Sequence, residues 1–272
     1  MQKEPFFSII MANYNSGQYI ERAIKSVLSQ SCNDYELIIV DGGSTDNSVE
    51  VIKRYSDKIS WWISEPDKGQ SDAFNKGFSH AKGKFYTWLN ADDLLLPNTL
   101  EKIKAYSLKK PKCNWLTVNT IYIDKDDKII DCGINTDFNH RILKHCNLTD
   151  IGPSSFFTAE LYNQIGEFDI DNHYTMDIDL WIKFVNAGYG YDRINIFGWA
   201  FRCHELSKTS SGITGDQPIK VEKSLCETFK KNHFRTKKGY IIYQRFKKII
   251  FCYLKRLYYR KYRGKTISSF DL

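Results

Sequence analysis

An aromatic and apolar run, Phe85-Tyr86-Thr87-Trp88-Leu89, stops abruptly at Asn90-Ala91-Asp92-Asp93, and no other stretch limits the folds open to this chain so strongly. A run of this kind fits a buried strand, so it carries two carboxylates to the edge of a sheet. An unpaired carboxylate is too costly to bury, which means that Asp92 and Asp93 must meet a cation, hydrogen-bond donors or water. A divalent metal holding a phosphate is one such cation. The plainer reading is a cap for a helix that starts at Pro97, since proline suits a first helical turn. Against it stand three other apolar strands that end in turns bearing Asn, Asp or Gly.

The first of these is Phe6–Met11, followed by the turn Ala12–Gly17 and by Ile20, Ala23, Ile24, Val27 and Leu28 at helical spacing. Tyr35–Val40 is the second, ending at Asp41-Gly42-Gly43-Ser44-Thr45-Asp46, where Ser44 or Thr45 is expected to cap a helix marked by Val49, Ile52 and Tyr55. Ile59–Ser64 is the third, with the turn Glu65–Gln70 and a helix over Ser71–Ala81 that Gly83 stops. Strand alternating with helix predicts a parallel sheet with right-handed crossovers, and ligands of such sheets sit at the carboxyl edge. Further on, Trp115–Ile123 and Lys128–Cys132 predict a hairpin around Asp124-Lys125-Asp126-Asp127. Pro153–Phe157 opens another apolar segment, a helix through Leu161 and Ile165 ends at Gly166, and a last helix is expected over Asp179–Ala187. We read residues 1–229 as one domain and residues 230–272 as a helical tail.

The overall charge of +7 conceals a division: residues 230–265 hold 14 Lys or Arg and no acidic residue, so the preceding body is net acidic. That argues against a nucleic-acid partner for the body and assigns any anionic partner to the tail. Seven scattered cysteines without a Cys-x-x-Cys pair read as reduced thiols of a cytoplasmic protein. No run approaches the ~20 apolar residues of a membrane span.

The strings SIIMANYN (8–15), ELIIVDGGSTDNS (36–48), SEPDKGQSDAFNKG (64–77), FYTWLNADD (85–93), IGEFD (165–169) and MDIDLWIKF (176–184), in this order and spacing, resemble the bacterial family-2 glycosyltransferases over about residues 6–205. The resemblance implies an α/β GT-A fold, a single Rossmann-like domain with a mostly parallel central sheet. It also implies a nucleotide-sugar donor, most simply a UDP-sugar, a Mn²⁺ or Mg²⁺ cofactor, and inversion at the anomeric carbon.

On that resemblance each turn has a task. Tyr14, beside Asn13, would pack on the base, and Asp41 would accept from its N–H. Asp67 would contact ribose or base, Gly69 would let the backbone approach the donor, and Asn75 lies in a matching polar pattern. Helix capping for Asp41, a β-turn for Asp67 and a polar helix face for Asn75 are the plainer alternatives. Asn90-Ala91-Asp92 stands where the family has Asp-x-Asp. The departure at Asn90 keeps an acceptor oxygen and loses a charge, so Asp92 with the diphosphate would carry the metal, aided by His204. Inversion needs a base opposite the leaving group: Asp177 matches the acidic residue that serves as the family's catalytic base, Asp179 is the better helix cap, and Trp181 would wall the acceptor site.

In the tail, Ile242, Phe246, Ile249, Ile250, Tyr253, Leu254 and Leu257 recur at helical spacing among Arg245, Lys247, Lys248, Lys255 and Arg256. A basic amphipathic helix suits an anionic membrane, here the inner face, where a glycan or lipid-linked acceptor would be met. Docking on the body or in a homodimer is the equal alternative. Two other functions stay in view: a sugar nucleotidyltransferase, which would want a basic Gly-rich loop after the first strand, and a membrane-associated subunit that binds nucleotide-sugar without turnover.

Overall fold

A computed structural model describes residues 4–135, 137–138, 154–205, 223–224, 227–228, 231 and 265–266. The expected amphipathic helix over residues 239–262 lies outside the described residues. The first half alternates as expected: β1 (Phe7–Asn13), α1 (Ile20–Leu28), β2 (Tyr35–Asp41), α2 (Ser48–Arg54), β3 (Trp61–Ser64), α3 (Gln70–Ser79) and β4 (Phe85–Asn90). After it come β5 (Leu94–Leu95), α4 (Thr99–Lys109), β6 (Trp115–Ile123), β7 (Ile129–Gly133), β8 (Ser155–Thr158), α5 (Ala159–Ile165), α6 (Met176–Asn186) and β9 (Asp192–Arg202).

The strands join in one sheet of order β3-β2-β1-β4-β8-β6-β9-β5, with β7 paired to β6. The pairings of β2 with β3, and of β1 with β2 and β4, are parallel. Their carboxyl ends therefore share an edge, and Asn13, Asp41, Ser64 and Asn90 stand there together. Beyond β4 the sheet becomes mixed, since β8 is antiparallel to both β4 and β6 while β9 is parallel to β6. The hairpin of β6 and β7 turns at the acidic loop, as its composition predicts.

Alternation along the central strands fills a layer on each side. Ile9, Met11, Leu37 and Ile39 face α1, α2 and α4, whereas Ile10 and Ile38 face α3, α5 and α6. The second layer is centred on Trp181 of α6, whose ring stacks on Trp88 of β4 at 5.4 Å and on Trp115 of β6 at 4.9 Å. Trp181 is wholly shielded from solvent, so the expected wall of an acceptor site is instead the keystone joining the parallel half to the mixed half.

Several boundaries moved for local reasons. α2 starts three residues after Thr45, with Asn47 at its cap position, because Ser44 is drawn into the β2 turn by Asp41. α6 starts at Met176 with Thr175 at its cap position, so Asp179 does not cap it; buried Asp179 pairs with Lys183 one turn on, at 2.8 Å. α3 closes at Ser79, four residues before Gly83. Gly83 serves a different end: a Cβ there would lie 2.6 Å from the main chain at Phe7 and Ser8, so only glycine lets the α3–β4 connection lie against β1. Gly83→Ala should lower stability by roughly 1–3 kcal/mol through that overlap. A urea midpoint equal to wild type would show that the contact is slack.

Candidate active site

The carboxyl edge is built by cross-knitting the turns that follow β1 and β2. Asp41 is completely buried and accepts from Asn13 Nδ2 and Ser44 Oγ on one oxygen, and from Ser64 Oγ and the Gly43 and Ser44 N–H groups on the other. Asn15 reaches back, donating its N–H to Ser44 Oγ and accepting from the Thr45 N–H, both at 2.8 Å. Asp41 is thus saturated by its own chain and leaves no face for a base N–H, a correction to the role expected from the resemblance. It organises the turn instead. Its effect is to fix buried Asn13 with Nδ2 committed to Asp41 and Ser44 and Oδ1 without a partner, and to leave Tyr14 projecting with 65% of its surface exposed.

Asp67 arrives from the β3 turn. One carboxylate oxygen accepts the Gly69 N–H at 2.7 Å, and the other lies where a side chain at Gly42 would have to be, 2.5 Å from that ideal Cβ. Burial pushes the Asp67 carboxyl upward, against the pull of the Gly69 N–H and Lys76. Gly69 has φ 112° and ψ 179°, a conformation left to glycine, and His173 Nδ1 stands 3.4 Å from its ideal Cβ position. Sequence reasoning did not find His173, because it sits in a polar loop without a motif.

Asn75 has a different task from the expected donor contact. Its Nδ2 donates to Phe168 O and its Oδ1 accepts the Phe168 N–H, each at 2.9 Å, with Tyr162 OH at 3.3 Å. A side-chain amide that pairs both backbone groups of one residue is a splint, and it fixes the loop leading to α6. Ser71 Oγ, at 3.3 Å from Asn172 O and 3.1 Å from Met176 Sδ, fastens the same loop nearer its end. The loop brings Asp177 into the first turn of α6, partly exposed and accepting the Ile178 N–H at 2.8 Å. Burial holds the Asp177 carboxyl above the ordinary carboxylate range.

At the end of β4 the two aspartates part company. Asp93 turns inward, 1% exposed, and accepts from Arg202 N–H at 2.9 Å, Asn90 Nδ2 at 2.9 Å and Trp199 Nε1 at 3.3 Å. Burial, and then the charge of Asp92, push its carboxyl well above the usual range. Asp92 faces outward and its Oδ2 lies 2.9 Å from His204 Nε2. A carboxylate oxygen and an imidazole nitrogen this close, at the carboxyl edge of the sheet, are a donor set that suits Mn²⁺ or Mg²⁺ once diphosphate oxygens complete the shell. Among the described residues no group of three or more His, Cys, Asp or Glu forms a metal cluster, so the substrate would supply the remaining ligands. Asn90, by contrast, has both amide atoms engaged, accepting from Gln70 Nε2 at 2.7 Å and donating to Asp93. Gln70 and Arg202 were missed at the sequence level, since both act on main chain or amide groups at long range.

Comparison with known proteins bears on the family and the fold. The sequence profile of Glycosyl transferase family 2 matches residues 8–162, more than half of the 272-residue chain. An uncharacterized glycosyltransferase of Rickettsia typhi is 30% identical over 202 residues, covering 69% of this chain and 61% of its own length. One from Methanocaldococcus jannaschii is 26% identical over 256 residues, 91% of this chain and 86% of that one. The chain thus spans about three-fifths of the rickettsial relative. Among solved structures, residues 1–349 of S. aureus TarS in complex with UDP-GlcNAc superpose with a TM-score of 0.63 at 17% identity, over 82% of this chain and 65% of that one. The mannosyltransferase PcManGT of Pyrobaculum calidifontis, in complex with GDP-Man and Mn²⁺, gives 0.57 at 14% identity, over 94% and 84%. At these identities the two structures speak for the fold, which is GT-A.

The geometry of Asn90 decides what an acid would do at that position. Restoring an acid there, Asn90→Asp, sets a carboxylate against buried Asp93 and removes its amide donor. The variant should lose on the order of 1–3 kcal/mol of stability and gain no metal affinity. Unchanged thermal unfolding with a tighter Mn²⁺ response would instead place residue 90 in the ligand set.

Proposed function

Since the chain belongs to glycosyltransferase family 2, we propose that it transfers a sugar from a nucleotide-diphosphate donor, a UDP-sugar in the simplest case, to a hydroxyl of a glycan or lipid-linked acceptor, with inversion. The observation that carries this reading is the meeting of Asp92 and His204, 112 residues apart in the chain, at the edge where Tyr14 projects. Tyr14 packs against the base, buried Asn13 fixes the turn from which it projects, and the Asp67 carboxylate supplies an acceptor for base or ribose. Asp92 and His204 would hold Mn²⁺ or Mg²⁺, which when bound would offset charge on the departing diphosphate. Asp177 accepts the proton of the acceptor hydroxyl as its oxygen bonds to the anomeric carbon and the bond from that carbon to the diphosphate breaks.

The acceptor's class rests on the tail. Its basic and apolar composition supports attachment to an anionic cytoplasmic membrane face, where a lipid-linked acceptor resides. No described helix is long and apolar enough to cross a membrane. Contacts among the described residues bring both ends of the tail to the body: Lys231 pairs with Asp169 at 2.5 Å, the Ile129 N–H donates to the Lys265 carbonyl at 3.0 Å, and Thr266 forms an antiparallel bridge with Lys128. A sugar nucleotidyltransferase has no support in the turn after β1, which contains no basic residue between Ala12 and Gly17. A binding subunit without turnover would show nucleotide-sugar affinity and no donor hydrolysis.

Asp177→Asn should cut turnover by 10²-fold or more while nucleotide affinity stays near wild type. The base acts in its ionised form, and its pKa lies above the ordinary 3.8, so wild-type kcat/KM should fall as pH drops through a value above 3.8. Retention of more than about a tenth of the turnover would remove Asp177 from the role, because a positioned base contributes ~10²–10⁴-fold. Asp92→Ala should abolish the Mn²⁺-dependent part of UDP binding; calorimetry showing equal UDP affinity with and without Mn²⁺ in the wild type would dismiss the metal pair.

A further inference from the structure

Arg202 is fully buried, although a guanidinium is among the costliest groups to remove from water. Its partners explain how it is tolerated. Nε donates to the Asp92 carbonyl at 2.7 Å; one terminal nitrogen donates to the Asp124 carbonyl at 2.9 Å; the other pairs with Asp127 Oδ1 at 2.5 Å. The face of the guanidinium lies 4.9 Å from the Tyr19 ring centre, and that same ring lies 4.9 Å from the ring of His204. Asp127 also takes Arg22 of α1 at 2.8 Å. One planar fork therefore joins the end of β4, the end of β9 and the β6–β7 hairpin turn, a task that the single point charge of a lysine cannot reproduce.

The placement of these contacts around the ligands is informative. Arg202 holds the main chain of Asp92 from one side, His204 stands two residues further along the same segment, and Tyr19 fills the space between guanidinium and imidazole. We propose that Arg202 is the positioning residue of the metal pair, and that the acidic hairpin turn at Asp124–Asp127 is its anchor. In this arrangement, which rests on the function proposed above, a turn that touches neither ligand sets how well Asp92 and His204 receive a divalent cation. Hydrogen-bonded groups behind metal ligands generally act in this way, and their loss lowers affinity by about 10–100-fold.

The discriminating variant is Asp127→Asn in the full chain. Residue 127 has φ 65°, which asparagine accepts readily, and its side chain is a quarter exposed, so the turn should keep its shape while Arg202 loses its counter-charge. Titration of Mn²⁺ in the presence of UDP should show about ten-fold weaker apparent Mn²⁺ affinity, with metal-free UDP affinity unchanged. Arg202→Lys should weaken Mn²⁺ at least as much. A folded Asp127→Asn with wild-type Mn²⁺ affinity, or one that loses thermal stability while Mn²⁺ affinity holds, makes Arg202 a structural rivet and overturns the proposal. If UDP binding by the wild type itself does not respond to Mn²⁺, the metal reading of the site fails and this proposal with it.

Discussion

The burial of Asp93 is the constraint on which the rest of the site depends. A carboxylate that is 1% exposed and adjoins a second acid must recruit donors, and the end of β4 offers one, Asn90 Nδ2. The others come from β9: the Arg202 N–H and the Trp199 indole. Satisfying Asp93 thus draws β9 beneath the β4 turn, where Leu94 and Leu95 pair with Ala200 and Trp199. His204 follows two residues beyond Arg202 and reaches Asp92 as a consequence. Of two adjacent acids, the inner one fixes the chain crossing so that the outer one can meet its imidazole partner.

Much of the parallel half was legible in the sequence because its signals are local. Apolar runs of strand length, helical spacing between them and polar turns after them set β1 to β4 and the shared carboxyl edge, and the hairpin at Asp124–Asp127 followed from the same pattern. What was not legible was the partner each polar turn residue would find. Asp41 and Asn75 have the residue types of ligand contacts, yet their hydrogen bonds close on Ser64, 23 residues away, and on Phe168, 93 residues away. A motif records the residue and says nothing of whether its acceptors are already filled. Asn90 shows the same limit, since its amide is shared between Gln70 and Asp93, and neither bond is visible from Asn-Ala-Asp alone.

Trp181 illustrates how residue type misleads when the sheet is mixed. An indole beside acidic residues at a helix start has the character of a sugar-stacking wall, and the apolar periodicity of the helix does not distinguish a ring that faces a ligand from one that faces other rings. The decision is made by β8 and β6, whose antiparallel pairing brings Trp115 alongside Trp88 at a spacing that one further ring completes. Offset ring pairs of this kind contribute ~0.5–1.5 kcal/mol each beyond their buried area. The stack therefore gives α6 a fixed position on the sheet, and its first turn inherits that position.

The same helix start then depends on α3, which serves both sides of the candidate site. From the N-terminal end of α3, Gln70 donates to Asn90 and so supports the amide that holds Asp93; one turn along, Asn75 splints Phe168, and Ser71 fastens Asn172 and Met176. The segment carrying Asp177 and the turn carrying Asp92 are thereby referenced to a single rigid element and do not rest on two independent loops. General-base catalysis on an acceptor hydroxyl requires the base and the leaving group to keep a fixed relation, and misplacement by about 1 Å can cost 10²-fold. In the function proposed above, α3, with polar residues at its start and apolar residues packed with Ile10 and Ile38, would supply that relation.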